Sequence, residues 1–165
     1  MPIETDILII GSGIAGAAAA LRLARDSQCR VLLINRTAPP VESNTCYAQG
    51  GIVARGANDS PDLLVRDILA AGAGLSLPAA AQLLAADGPD LVQSLLVEEA
   101  GVPFERDAGG HLLFTLEGGH SLPRVLHVGD ATGRAIAQGL IALLASMPNV
   151  TVQTQFTAVD LITSA

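Results

Sequence analysis

Three closely spaced glycines give this chain its clearest opportunity for ligand chemistry, because glycine lets a backbone approach a phosphate closely. They occur in Gly11-Ser12-Gly13-Ile14-Ala15-Gly16, directly after an apolar run and at the start of an Ala/Leu-rich stretch. Gly11 would permit the tight turn, Gly13 the approach of a pyrophosphate, and Gly16 the packing of helix on strand. The first N–H groups of the helix would face the anion. The segment therefore predicts dinucleotide contacts from Gly11, Ser12, Gly13, Ile14, Ala15 and Gly16.

The end of the second apolar run bears on which dinucleotide is bound. Where an acidic residue would bind the ribose hydroxyls, this chain has Asn35 followed by Arg36. A neutral residue followed by arginine would suit a 2′-phosphate and hence NADP. An amide can equally hydrogen-bond the ribose of FAD, with Arg36 near the adenosine. Asn35 and Arg36 are both predicted cofactor contacts, and the pair alone leaves the two cofactors open.

A second candidate binding segment covers residues 43–51. Its sequence, Ser-Asn-Thr-Cys-Tyr-Ala-Gln-Gly-Gly, combines hydroxyl and amide groups with two consecutive glycines and fits neither a helix nor a strand. Such a loop can hydrogen-bond a planar ligand with polar edges while its backbone stays close to it. The contacts predicted in this loop are Asn44, Thr45, Cys46, Tyr47, Ala48, Gln49, Gly50 and Gly51.

A strand–helix–strand unit is needed to position these segments. Residues 6–10 predict a buried strand, residues 16–25 a helix, and residues 30–35 a second buried strand, within the length of a βαβ unit. The glycines and prolines of residues 37–59 indicate a long functional loop. The predicted fold class is α/β, with a parallel sheet flanked by helices.

Serine, proline and glycine mark the elements farther along the chain. Ser60 before Pro61 predicts a helix start, and Gly72 predicts its end. The remaining predictions are a helix after Pro78, a helix over 89–100 ended by Gly101, a hairpin over 104–106 and 111–115, a helix over 131–146, and strands over 150–154 and from 157 to 162. Because the last apolar run reaches Ile162, we expect the domain to continue beyond this sequence.

Composition argues against several classes of function. Half of the 165 residues are hydrophobic, and the net charge is −7 with scattered basic residues, which argues against nucleic-acid binding. The two cysteines and three histidines show no metal-ligand spacing. The N-terminus lacks the positive region of a signal peptide, and the uncharged stretch from Ile7 to Leu21 contains three glycines and is shorter than the roughly 20 residues of a membrane span. The sequence predicts one cytoplasmic domain with no metal, nucleic acid or membrane span.

Four ordered motifs resemble those of the flavoprotein family of succinate dehydrogenase, fumarate reductase and L-aspartate oxidase. They are the glycine segment, the 43–51 loop, Glu117-Gly118-Gly119-His120, and the segment from His127 to Arg134. The resemblance covers the whole chain and implies a Rossmann-like FAD-binding domain, of which residues 1–165 are the N-terminal part. The rest of that domain, a capping domain and a C-terminal helical domain would lie outside this sequence.

Two positions separate this chain from the dehydrogenase and reductase branches. Where those branches carry a histidine bonded to the flavin, this chain has Asn44, which implies non-covalent FAD. Where they carry an apolar residue before the Gly-Gly pair, this chain has Glu117, as the aspartate-oxidising branch does. A carboxylate would favour a substrate with an α-ammonium group, because a charge-assisted hydrogen bond discriminates strongly. Glu117 is therefore predicted to orient the substrate, and a solvated surface carboxylate is the alternative.

The histidines and the end of the chain complete the candidate site. His120 either orients the substrate with Glu117 or is structural, His127 is expected to be a structural hydrogen-bonding residue, and His111 a surface residue. The resemblance implies that Thr157 and Ala158 meet the adenine end of FAD. The residues that hold the substrate carboxylates and transfer the proton in this family belong to later segments, so no catalytic residue is predicted here.

The reaction implied by the resemblance is oxidation of L-aspartate to iminoaspartate, with oxygen or fumarate as electron acceptor, in NAD biosynthesis. Quinolinate synthase, which consumes the product, is a partner implied in the same way. This chain would be the FAD-binding part and inactive by itself. One alternative is a fumarate reductase or succinate dehydrogenase with unlinked FAD, which Glu117 argues against. The other is a non-catalytic FAD or NADP module, which Asn35 and Arg36 favour.

Overall fold

The computed structural model describes residues 2–163, which form two compact units. The first unit combines the chain up to Ala48 with the chain from Gly133 onward, and the second is Gln49–Thr132. In chain order the elements are β1 (Ile7–Ile10), α1 (Ile14–Asp26), β2 (Val31–Asn35), β3 (Ile52–Val53), α2 (Pro61–Ala71), α3 (Pro78–Leu91), β4 (Val125–Leu126), α4 (Thr132–Ala145) and β5 (Val150–Thr154). A 3₁₀ turn occupies Asn44–Tyr47, and a π-helical stretch occupies Val92–Glu99. Within residues 2–163, no helix has both the length and the apolar character needed to cross a membrane.

A parallel sheet in the order β1-β2-β5 forms the framework of the first unit. All five residues of the central strand β2 are buried, as expected for a strand paired on both edges. The predicted strand–helix–strand unit is therefore confirmed. The prediction that β1 is buried is wrong, because Leu8 and Ile10 are 44% and 56% exposed on this outer strand and Ile7 and Ile9 are only half-buried.

Two helices of the first unit bury one face each. In α1 the buried residues are Ala17, Ala20 and Leu21, whose spacing places them on one side of the helix. The small alanines let this helix lie close to the sheet. In α4 the buried residues are Ile136, Ala137, Leu140 and Leu144, again at helical spacing. The predicted helices 16–25 and 131–146 are confirmed, with boundaries shifted by one or two residues.

A short antiparallel ladder anchors the second unit. Strand β3 pairs with β4 in the register Ile52↔Leu126 and Val53↔Val125. This pairing lies partly within residues 37–59, so the prediction of a loop without regular structure is wrong at residues 52–53, and it is also wrong at the 3₁₀ turn Asn44–Tyr47. Two residues of strand carry too little period-two pattern to be recognised before their partner is known.

Helix α2 begins as the sequence predicts. Ser60 is its N-cap, and its Oγ accepts a hydrogen bond from the N–H of Leu63 at 3.3 Å. Pro61 occupies the first helical position, where its missing N–H costs nothing. The predicted stop at Gly72 is also confirmed, because the helix ends at Ala71 and Gly72 is its C-cap.

The prediction of a separate helix beginning at Pro89 is wrong. Pro89 lies inside α3, which continues directly into the π-helical stretch Val92–Glu99. A proline here cannot donate to the carbonyl of Ala85 four residues earlier. Arg55 donates to that oxygen instead, with Nη2 at 3.3 Å, so a side chain from elsewhere in the unit compensates the helix. Gly101, at φ +60°, ends the helical stretch as predicted.

The predicted hairpin and the predicted strand from 157 to 162 have opposite outcomes. The hairpin over 104–106 and 111–115 is confirmed, with an antiparallel bridge between Arg106 and Leu112 and a bond from the N–H of Leu113 to the carbonyl of Glu105 at 2.9 Å. The strand predicted from 157 to 162 is wrong, because that segment has no regular structure. Gln155 turns the chain just after β5, with φ at +64°.

Candidate functional site

The glycine segment forms a tight turn between β1 and α1. Gly11 has φ at +107°, in the region that favours glycine, and its N–H donates to the carbonyl of Ile34 at 2.9 Å. A Cβ on Gly16 would lie 2.0 Å from the carbonyl oxygen of Gly11. The helix can therefore approach the strand this closely only if residue 16 has no side chain. This is the packing that the sequence predicts for these two glycines.

The 3₁₀ turn at residues 44–47 lies against the start of α1. Thr45 Oγ1 accepts a hydrogen bond from the N–H of Ile14 at 3.0 Å, which satisfies one of the helix-terminal donors. On its other side, the carbonyl of Ala48 accepts from the N–H of Gly133 at 3.0 Å. A Cβ on Gly133 would lie 1.9 Å from the carbonyl of Thr45, so this approach also requires glycine. The predicted binding loop is thus fixed to the first turns of two helices.

A cleft of about 480 Å³ opens where the glycine turn, the end of β2 and the 3₁₀ turn meet. Its volume falls in the range of about 300–1,000 Å³ typical of small-molecule sites. The predicted cofactor residues that line this cleft are Gly11, Ser12, Gly13, Asn35, Arg36, Asn44, Tyr47, Thr157 and Ala158. The predicted contacts that do not line it are Ile14, Ala15, Gly16, Thr45, Cys46, Ala48, Gln49, Gly50 and Gly51. Of these, Gln49, Gly50 and Gly51 belong to the second unit.

Asn35 and Arg36 have different roles at the mouth of this cleft. Asn35 is buried, and its Nδ2 donates to Thr37 Oγ1 at 2.9 Å and to the carbonyl of Pro39 at 3.2 Å. The amide therefore organises the loop after β2 as well as lining the cleft. Arg36 is exposed beside it, with its cation accessible to a ligand.

Sequence reasoning missed several residues that line the cleft. They are Ile10, Ile34, Thr37, Glu42, Ser43 and Phe156. Phe156 follows β5, and its N–H donates to the carbonyl of Asn35 at 3.0 Å. The only available signal was its position next to Thr157. An aromatic residue after a strand has no ligand signature of its own.

One polar pair at the cleft joins an acid to a phenol. The Tyr47 hydroxyl donates a short hydrogen bond to Glu42 Oε1. This bond, and the negative charge of Glu42, raise the pKa of Tyr47, so its hydroxyl stays protonated across the neutral range. Tyr47 is 63% exposed and therefore accessible to a ligand as a flat, polar-tipped ring.

The predicted substrate residue Glu117 lies in the second unit and is paired with a histidine. His127 Nε2 lies 2.9 Å from Glu117 Oε1. The His127 side chain is 19% exposed, whereas that of Glu117 is 44% exposed. The Glu117 side chain is therefore largely open to solvent beside this contact. The contact is a close approach of two polar atoms, and the expectation that His127 is a structural hydrogen-bonding residue stays a prediction.

His120 is not paired with Glu117 through its side chain but with a buried cluster of charges. Its Nδ1 lies 3.2 Å from Nη1 of Arg124, so this ring nitrogen acts as an acceptor. Arg124 is fully buried and makes two hydrogen bonds to Asp59, at 2.8 and 3.0 Å, and one to Asp67. His120 also lines an apolar cavity of about 210 Å³ beside Leu64 and Val92. Arg124 was missed as an anchor because its two carboxylate partners, Asp59 and Asp67, lie more than 50 residues before it in the sequence.

His111 lies in the hairpin turn with Nδ1 3.3 Å from Asp107 Oδ2, and it is exposed, as the sequence predicts. Among residues 2–163, no three His, Cys, Asp or Glu side chains are grouped so as to hold a metal ion.

Comparison with known proteins identifies relatives along nearly the whole chain. The sequence model of the family described as FAD binding domain matches residues 6–165. An L-aspartate oxidase from Halobacterium salinarum is 41% identical over 159 residues, which cover 96% of this chain and 30% of that protein. L-aspartate oxidase 1 from Ralstonia nicotianae is 42% identical over 163 residues, 97% of this chain and 30% of that protein. The chain thus spans about a third of the length of these curated relatives.

The fold is also similar to that of solved flavoprotein structures. A structure of E. coli quinol fumarate reductase matches with a TM-score of 0.84 and 25% identity, over 91% of this chain and 26% of that one. The parallel sheet with its flanking helices is therefore an arrangement that this chain shares with a solved flavoprotein.

Proposed function

Because the chain belongs to the FAD binding domain family, we propose that it is the FAD-binding part of an enzyme that oxidises L-aspartate to iminoaspartate. The observation that carries the choice of substrate is Glu117, a carboxylate anchored 2.9 Å from His127 and still 44% exposed. Succinate and L-aspartate differ by the α-ammonium group, and a carboxylate is the group that would recognise it. An apolar residue at this position would favour the substrate without the ammonium.

In this proposal, the cleft of the first unit holds the adenosine and pyrophosphate of FAD. Gly11, Ser12 and Gly13 offer backbone to the pyrophosphate, and the start of α1 adds a partial positive charge. Asn35 and Arg36 lie by the ribose, and Thr157 and Ala158 by the adenine. The other predicted contacts, Ile14 to Gly16, Thr45 and Cys46, and Ala48 to Gly51, are proposed to support or line the flavin. Asn44 has no ring nitrogen for a covalent bond, so FAD is held non-covalently.

The chain's own residues would bind and orient the substrate. FAD, when bound, supplies the acceptor for the electron pair that leaves the substrate. L-aspartate loses its α-hydrogen as a hydride and one proton from nitrogen, which leaves the C=N bond of iminoaspartate. Glu117 would hold the nitrogen end, and His120, whose Nδ1 accepts from Arg124, keeps its Nε2 proton as a donor. We propose no proton-transferring residue in this chain.

The wider activity belongs to the same proposal. Oxygen or fumarate would reoxidise the cofactor, and quinolinate synthase would consume the unstable imine in NAD biosynthesis. Residues 1–165 would be the N-terminal part of the FAD domain, followed in the full-length protein by a capping domain and a helical domain. We also propose a cytoplasmic location for the full-length protein, which cell fractionation would test.

The experiment that tests this function uses the protein translated from its gene to the natural stop codon. Anaerobic flavin absorbance is followed while L-aspartate or succinate is added, and the flavin is then released with acid. Bleaching by L-aspartate alone, with all flavin released, is the expected result. Bleaching by succinate would instead support the fumarate reductase alternative. Purified protein without flavin would support the NADP or non-catalytic alternative.

A further inference from the structure

His127 holds Glu117 in one position. The two atoms that meet are His127 Nε2 and Glu117 Oε1, 2.9 Å apart, and the histidine is the more buried partner. Glu117 precedes two glycines, and its carbonyl accepts from the N–H of His120 at 3.2 Å in a turn where Gly119 has φ at +87°. The backbone of such a turn leaves the Glu117 side chain several rotamers. The contact with His127 is what selects among them.

The His127 ring is itself fixed by the predicted flavin loop. A Cβ on Gly51 would lie 2.7 Å from Cε1 of His127 and 2.3 Å from Cγ1 of Val125. Cε1 is the ring atom next to Nε2, so the backbone at Gly51 lies against the edge of the ring that contacts Glu117. His127 directly follows strand β4, which ends at Leu126 and is held in place by its pairing with β3. The glycine, the histidine and the glutamate form a continuous series of contacts.

We propose that His127 is a positioning residue for substrate selection, fixing Glu117 so that its second carboxylate oxygen receives the α-ammonium group of an amino-dicarboxylate. This proposal rests on the proposed function and deepens it. His127 contacts Oε1, so Oε2 is the oxygen that keeps its acceptor capacity for the ammonium group. A fixed acceptor loses less conformational entropy on binding than a freely rotating exposed glutamate. His127 therefore acts through Glu117 and contacts no reacting atom.

The test compares discrimination between two ligands in the full-length holoenzyme. His127→Leu removes this polar contact, and we expect KM for L-aspartate to rise about tenfold, the lower end of the effect seen when a residue that orients a ligating group is replaced. The inhibition constant of succinate, which lacks the ammonium, should stay within about twofold because it needs no contact with Glu117. His127→Gln keeps an N–H donor and should restore most of the discrimination.

Two further variants separate this role from a general structural one. In a Glu117→Gln background, His127→Leu should change the ratio of the L-aspartate KM to the succinate inhibition constant by less than about twofold. The effects of two residues that act through one contact are not additive, so the second substitution has little left to remove. His111→Gln is the matched control, because His111 pairs with Asp107 at 3.3 Å in an exposed turn, and it should change neither constant.

The outcomes distinguish the two proposals. A wild-type flavoprotein that L-aspartate does not reduce would overturn the proposed function and this inference together. Reduction of the wild type, with equal losses for L-aspartate and succinate in His127→Leu, would overturn only the positioning role. The same loss of discrimination in the wild-type and Glu117→Gln backgrounds would also overturn it, because His127 would then act without the Glu117 carboxylate.

Discussion

Arg124 is a fully buried cation in the second unit. Its side chain is 0% exposed, and so is that of Asp59, to which it makes two hydrogen bonds. Replacing arginine with methionine would leave Asp59 as a buried carboxylate without its cation. Removing one partner of such a buried pair costs about 3–5 kcal/mol of stability, because the other charge stays buried without compensation. Replacing both partners by apolar residues is often neutral by comparison.

We therefore expect Arg124→Met to lower the free energy of unfolding by about 3–5 kcal/mol in urea denaturation. Arg22→Met is the matched control, because Arg22 pairs with Asp26 while 79% exposed. An exposed pair contributes about 0–1 kcal/mol, so this variant should unfold close to the wild type. Equal effects of the two substitutions would contradict the structural role assigned to Arg124.

Gly16 sets the distance between α1 and the glycine turn. Because a Cβ would lie 2.0 Å from the Gly11 carbonyl oxygen, Gly16→Ala must displace the helix start that faces the cleft. We expect FAD affinity to fall at least about tenfold, because a loss of about 1.4 kcal/mol of binding free energy already raises the Kd by that factor. The control is Gly88→Ala in α3, where the nearest atom is the side-chain Leu84 Cδ1 at 3.4 Å. Flavin content after gel filtration reports the difference, and full content in Gly16→Ala would refute the packing argument.

At the scale of elements, Asp67 links α2 to the segment before β4. Burial disfavours its charged form, but hydrogen bonds from the Ser121 N–H, from Arg124 and from the Ser121 hydroxyl outweigh burial and lower the pKa of Asp67 below its ordinary 3.8. A carboxyl whose pKa is lowered by folding stabilises the folded state above its unfolded pKa. That contribution is lost as the pH falls through the lowered value.

The wild type should therefore lose stability as the pH falls from about 5 toward and below 3.8, and Asp67→Asn should lose less over the same interval. The measurement is the urea midpoint at a series of pH values. Asp62→Asn, a change in the first turn of the same helix, serves as the control. Parallel curves for wild type and Asp67→Asn would show that this carboxyl does not link the elements as described.

The sequence predicts best those elements whose signals are local. The β1–α1–β2 unit follows from two apolar runs and a glycine turn, and α2 follows from Ser60 and Pro61. The prediction at Pro89 is wrong because proline is common at helix starts, and only the structure shows Arg55 compensating the Ala85 carbonyl. The β3–β4 pairing depends on partners far apart in sequence, which no local pattern reveals.

The same distinction applies to the candidate site. Asn35 and Arg36 could be placed at the cleft because the end of a strand after a glycine turn is a known ligand position. Phe156 and Thr37 could not, since their chemistry is not specific for a ligand. The Glu117–His127 contact was also missed, because residues ten apart touch only where the chain folds back between them, and no periodic pattern reveals that.

At the scale of the whole molecule, the cleft is assembled from both ends of the chain. The first unit is interrupted once, between Ala48 and Gly133, by the whole of the second. Residues 156–158, which follow the second unit in the sequence, also line the cleft. The hydrogen bond from the Phe156 N–H to the Asn35 carbonyl holds them beside the end of β2. The lining of this cleft thus depends on residues 156–158 as much as on the glycine turn.

The open side of β1 has a consequence for how this chain behaves in concentrated solution. Leu8 and Ile10 point to the same exposed face, and within residues 2–163 the outer edge of β1 has no strand beside it. An apolar outer strand is a template on which a second copy can add by strand pairing, which makes it a seed for aggregation. We expect light scattering from the 165-residue chain to rise with concentration and to fall in Leu8→Lys, because an edge lysine opposes such pairing. Colloidal stability would then depend on one exposed strand of four residues.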